Sequence, residues 1–255
     1  MSTREQDPLL LSSGRQSADS ALDMNDNQSV QSINSESPDE VVVGLRKNLY
    51  TTASSIFAQV GAITFFLYIF YHIMRHDIIF FTGHPALNNF GFLLLAQSII
   101  LVQPTSTAAE KALGATVHGI FNIIGAASFF GSFGIIFLNK AAHNGVHFAS
   151  PHAVFGLITY MILMCNVLLG ITQFWMPHIY GSPTRAKSLY KYHRVIGYVA
   201  LVFGYLTVCL ATITDYNRNV LSLRFPVILG LVLITSLGLA VRIRPQKFQF
   251  KSRRS

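Results

Sequence analysis

The chain has 255 residues and a net charge of +8, yet it is 51% hydrophobic and only 12% charged, and its mean hydropathy is positive. That balance excludes an ordinary soluble core and points to a polytopic membrane protein. The cations cluster at the ends of apolar runs, so the charge reads as membrane topology and not as an affinity for nucleic acid.

In chain order, residues 1–45 are rich in Ser, Asp, Asn and Gln and predict a disordered cytosolic tail. They lack a basic stretch followed by an apolar one, so no cleavable secretory signal is expected. Glu5, Leu9 and Leu10 form an acidic dileucine pattern, which predicts sorting adaptors as partners and an endosomal, lysosomal or vacuolar membrane. Six apolar segments follow at about 50–74, 86–103, 114–138, 152–176, 194–214 and 223–243, each read as a transmembrane helix. Together they predict an all-α membrane domain over 46–245, with a basic cytosolic tail at 246–255 lying against anionic lipid. Cys165 and Cys209 fall within the apolar runs and are expected to pack as small buried hydrophobes without a disulfide.

With both termini in the cytosol, 13 Lys and Arg fall on the inner side, against Arg75, Lys140, Arg218 and Arg224 on the outer. Most of the acids lie between Glu5 and Glu40, and the other three, Asp77, Glu110 and Asp215, sit in or beside loops. No span carries a carboxylate at its middle, which argues against an ion-coupled transporter. A haem-free transporter or a membrane scaffold are the competing readings.

Histidines carry the chemistry. His84, His118, His152 and His193 each open an apolar segment, at successive offsets of 34, 34 and 41 in the numbering. One span plus its turn uses about 30–40 residues, so successive histidines lie at alternate faces of the membrane. His84 then shares the non-cytosolic side with His152, and His118 shares the cytosolic side with His193. Neutral imidazole is a good axial ligand for haem iron, and two facing pairs can hold two irons. Zinc would need four ligands in one small site, and the pairs are too far apart to share an ion. Of the other five, His72 and His76 are expected at the outer interface, His143 and His147 in the loop beside the outer pair, and His178 on the inner side, all as solvated residues. His147 alone, in the loop just before His152, is placed to touch the outer cofactor or substrate.

Several segments resemble the cytochrome b561 family: Gly83-His84-Pro85, Lys111 with Leu113–Gly119 around His118, Ser150-Pro151-His152 with Gly156, and Tyr192–Gly197 around His193. The resemblance covers about residues 50–245 and rests on the four-histidine register over six spans. It implies a six-helix fold whose four central helices form a di-haem bundle holding two haem b groups. His84 and His152 would ligate the non-cytosolic haem, and His118 and His193 the cytosolic one. It also implies an oxidoreductase of the ascorbate-dependent ferrireductase type, passing electrons from cytosolic ascorbate or a similar donor to ferric iron or monodehydroascorbate outside. Members of the family are often homodimers. Lys111 matches a family lysine near the inner haem propionates, and Arg185 and Lys187 flank Ala186, the register of a second family cation. Lys191 and Arg194 complete the cations expected to hold an anionic donor. Ile99–Pro104 lacks the aromatic-basic stretch of ascorbate-using members, and no Trp follows His152, so the chain is similar to the shorter-loop branch.

Overall fold

The computed structural model describes residues 37–103 and 105–244, all helix and connections, with no strand among them. The dileucine pattern Glu5, Leu9, Leu10 and the tail 246–255 lie outside the described residues. Eight α-helices follow in order: α1 Pro38–Tyr50, α2 Ala53–Met74, α3 Gly83–Leu101, α4 Ala108–Ala142, α5 Pro151–Trp175, α6 Pro183–Ser188, α7 Tyr190–Ala211 and α8 Phe225–Ala240.

Helix α1 corrects the boundary expected at residue 45, because it begins within the segment read as a disordered tail. Its start is a capping box: the Ser37 hydroxyl accepts from the Glu40 N–H, and the Glu40 carboxylate accepts from the Ser37 N–H. Pro38 at the first helical position adds a preset φ. Val41 and Leu45 are buried, and Gly44 lies directly against the Glu110 carboxylate at the start of α4.

Among the described residues four stretches are long and apolar enough to cross a membrane: Ala53–Met74, Ala108–Ala142, Pro151–Trp175 and Pro183–Ala211, the last made of α6 and α7 joined through a turn at Leu189. α3 has 19 residues and α8 has 16, about 28 Å and about 24 Å of helix against a layer of about 30 Å. Of the six expected spans, four thus have the length and hydropathy to reach across, α3 nearly matches the layer, and α8 stops short where Arg242 turns back into the protein. Arg242 is buried and donates to Thr52 Oγ1 at 2.7 Å and to the Ile100 carbonyl at 3.3 Å. It thus gathers the end of α8, the start of α2 and the end of α3. At the opposite end, the His72 ring nitrogen donates to the Leu221 carbonyl at 2.6 Å, and the Arg224 N–H donates to the Tyr68 hydroxyl. His72 is therefore a structural tie and not a solvated interface residue.

The helices pack as three antiparallel pairs, α2 with α8, α3 with α4 and α5 with α7. Gly238 presses against the Ala58 backbone, an approach that any side chain there would block. Cys209 is buried as expected, but Cys165 is exposed. The reason is helical phase: α5 turns Thr159, Leu163, Asn166 and Gln173 inward, which leaves position 165 on the outer face.

Candidate functional site

The four histidines meet in two facing pairs. The His84 and His152 rings stand 6.3 Å apart, centre to centre, with their planes at 87°. The His118 and His193 rings stand 6.0 Å apart, with planes at 83°. An imidazole nitrogen binds a transition metal at about 2 Å, so two imidazoles on opposite sides of one ion put their ring centres roughly 6.4 Å apart. Both pairs match that separation. Among the described residues no three His, Cys, Asp or Glu side chains converge, so each pair stands as two facing imidazoles, a donor set that fits a haem iron.

The tautomer is fixed in all four rings. His84 Nδ1–H donates to the Ser132 carbonyl at 3.1 Å and His118 Nδ1–H to the Ser98 carbonyl at 2.9 Å. His152 Nδ1–H donates to the Thr207 carbonyl at 2.9 Å and His193 Nδ1–H to the Asn166 carbonyl at 3.1 Å. A carbonyl only accepts, so Nδ1 carries the proton in each case and Nε2 keeps its lone pair for a metal.

These bonds are reciprocal. Each histidine binds a carbonyl at one fixed offset beyond the histidine of its partner helix: Ser132 is 14 past His118, Ser98 is 14 past His84, Thr207 is 14 past His193, and Asn166 is 14 past His152. That stretch of α-helix rises about 21 Å, which sets the distance between the two levels along the bundle. The α3–α4 pair repeats more than its histidines. Asn88, Gly91 and Ser98 recur as Asn122, Gly125 and Ser132 at the same offset of 34. Asn88 donates to the His84 carbonyl and to Ser132 Oγ, and Asn122 to the His118 carbonyl and to Ser98 Oγ. Attention to histidines alone misses these residues, although the offset is there to be read.

Between the levels the bundle is aromatic. Phe92 lies 5.3 Å from Phe129 and 5.7 Å from Tyr205, and Phe133 lies 5.6 Å from Tyr160. At the His84–His152 level a cavity of about 1100 Å³ reaches out to Lys140, His143, His147 and Asp215 in the loops, close to the upper end of ordinary cofactor pockets at about 1,000 Å³. His147 packs on Phe137 at 4.7 Å and lines this cavity, where it was expected. At the other level Gly170 abuts the His193 ring, and Gly119 lies under the Trp175 indole. A side chain at either glycine would fill the space these rings use.

Among the expected donor-side cations, Lys111, Arg185 and Lys187 are exposed, while Lys191 and Arg194 are half-buried. Lys111 lies two turns before His118 on α4, about 10 Å along the helix. Arg185 and Lys187 flank the buried Ala186, so the register expected for a cation faces inward and its neighbours face out. Lys191 sits over the Tyr192 ring at 5.1 Å.

The family described as eukaryotic cytochrome b561 matches residues 83–216, a segment that holds all four histidines and makes up more than half of the chain. No curated protein and no solved structure matches the chain.

Proposed function

The chain belongs to the cytochrome b561 family of haem-containing, membrane-embedded electron carriers, and from that premise we propose a membrane domain over 46–245 with six spans, both termini cytosolic and two haem b groups. His84 and His152 hold the non-cytosolic haem, and His118 and His193 hold the cytosolic one. One observation carries this reading: two imidazole pairs at 6.3 Å and 6.0 Å, each ring protonated at Nδ1 by its hydrogen bond and open at Nε2.

Bound there, the haems supply a reversible one-electron couple at each level. The protein supplies the rest. The two histidines of each pair would hold the haem between them and leave no open site on it, which would favour electron transfer over oxygen binding. Phe92, Phe129, Phe133 and Tyr205 keep water out of the interval between the levels. Lys111, Lys191 and Arg194, with Arg185 and Lys187 at the rim, attract an anionic donor such as ascorbate on the cytosolic side. The acceptor, ferric iron or monodehydroascorbate, is reached through the cavity that opens past His147 and Lys140. The activity is that of a transmembrane oxidoreductase of the ferrireductase type in an endosomal, lysosomal or vacuolar membrane. The dileucine pattern supports that location by engaging sorting adaptors, and pairing of two copies follows the habit of the family.

A reduced-minus-oxidised spectrum of the purified protein tests the core of this. The expected result is a bis-histidine b-type signal at about two haems per chain. A colourless preparation from haem-replete cells, or full haem content in all four His→Ala variants, overturns it. Vesicles with ascorbate inside and ferric chelate outside then test donor and acceptor together.

A further inference from the structure

The repeat at the offset of 34 makes the two levels alike on α3 and α4, but α5 and α7 differ at many positions, and one of these differences touches the repeated Asn–Ser pair. Tyr160 on α5 corresponds to Leu201 on α7, at the same offset of 41 that relates His152 to His193. The Tyr160 O–H donates to Asn88 Oδ1 at 2.9 Å, and its oxygen lies 3.2 Å from Ser132 Oγ. The Asn88 amide is thereby oriented with Nδ2 toward Ser132 Oγ and the His84 carbonyl. Ser132 Oγ in turn donates to the His84 carbonyl at 2.9 Å and lies 2.9 Å from His84 Nδ1, whose N–H is thus shared between that oxygen and the Ser132 carbonyl. A continuous hydrogen-bonded chain thus runs from Tyr160 through Asn88 and Ser132 to the back of one axial ligand. At the other level Asn122 donates to Ser98 Oγ at 2.9 Å, Ser98 donates to the Leu95 carbonyl at 2.8 Å, and Leu201 is a buried hydrocarbon without a hydroxyl.

We propose that Tyr160 is a positioning residue that raises the redox potential of the His84–His152 level, the level its hydrogen-bonded chain reaches, and leaves the other level unaffected. The inference rests on the bis-histidine haem reading above. Its physics is the polarity of the chain. A hydroxyl donating to Asn88 Oδ1 polarises the amide and strengthens its N–H donation to Ser132 Oγ. A serine oxygen already accepting strongly is a weaker acceptor for His84 Nδ1–H. A weaker acceptor leaves the imidazole less basic, and a less electron-rich ligand favours the ferrous state.

Potentiometric titration of purified wild type and Tyr160→Phe, with haem content measured on the same samples, tests the proposal. The His118→Ala background assigns each midpoint to its level. The expected result is about two haems per chain, a lower midpoint at the His84–His152 level and no change at the other. Ser132→Ala supplies the second arm. It cuts the chain while keeping the backbone carbonyl, so Tyr160→Phe added to Ser132→Ala is expected to give no further shift. Tyr68→Phe, a half-buried tyrosine outside the chain, is expected to move neither midpoint. Unchanged midpoints, a rise, equal shifts at both levels, additive shifts in the double variant, or loss of one haem from Tyr160→Phe all overturn the proposal, the last by marking a purely structural role. A wild type without haem instead refutes the functional reading, so the two failures are distinct.

Discussion

The His84–His152 and His118–His193 levels have nearly the same ring geometry and different surroundings. The first opens into a cavity that reaches the loops around His147 and Asp215. The second is closed in by Trp175 over Gly119 and by Gly170 against His193, and α1 packs at its end of the bundle through Gly44 and Glu110. Ring separation follows from the helix seams, where each histidine is held by the partner helix. Access follows from loops and flanking helices, which differ at the two ends. Ring geometry and access to the rings are thus set by separate parts of the chain and are open to separate change.

The sharpest break in that comparison is ligand removal. His118→Ala is expected to lower haem content from about two to about one per chain and leave the other level spectrally intact, with His84→Ala doing the converse. Next comes crowding at one level only. In Gly170→Ala the new Cβ stands 2.9 Å from His193 Cε1, and overpacking of about 1–3 kcal/mol is expected to weaken haem retention there roughly tenfold. Gly134→Ala, whose Cβ meets nothing within 4 Å, is expected to change neither level; haem loss to apomyoglobin measures both. A smaller effect is expected from Lys111→Gln. An exposed cation contributes at most about 1 kcal/mol, so the KM for ascorbate is expected to rise about two- to fivefold at low salt, and less at high salt. Acceptor kinetics at the far end are expected to stay as they were.

The smallest effect is titration of the α1 cap. Ser37 backbone and side-chain hydrogen bonds hold the Glu40 carboxyl below its usual pKa of 4.5. A depressed folded pKa means that the cap stabilises α1 fully above that value and loses the contribution as pH falls through the lower one. Amide exchange over Pro38–Tyr50, corrected for its intrinsic pH dependence, is expected to quicken as pH falls through the lowered Glu40 pKa. Equal quickening at the opposite end of the bundle would show that α1 is not the local support of the His118–His193 end.

Much of this is legible from residue order. The six apolar runs correspond to α2, α3, α4, α5, α7 and α8 to within a few residues, because length and hydropathy dominate where a bilayer is the solvent. His84, His118, His152 and His193 pair as their spacing predicts, because antiparallel neighbours reverse direction at each turn. Helix α1 is hidden by polar composition, although Ser37-Pro38-Asp39-Glu40 spells a capping box. Cys165 and His72 depart from expectation because burial depends on which helix lies opposite, and hydropathy carries no such information. The tie between His84 and Ser132 is a backbone carbonyl contact, so no residue type announces it; the recurrence of Asn and Ser at the offset of 34 is its only trace.

The reciprocal offset from each histidine to the carbonyl it serves acts as a gauge block. It is close to four complete helical turns, so ligand and latch lie on one stripe of the helix. Inserting or deleting a single residue between them would rotate one against the other by about 100°. Both histidine levels would then fall out of phase at once, since each helix of a pair holds a histidine for one level and a latch for the other. Loops and tails are free to lengthen in this architecture, but the middle of the bundle has a fixed measure.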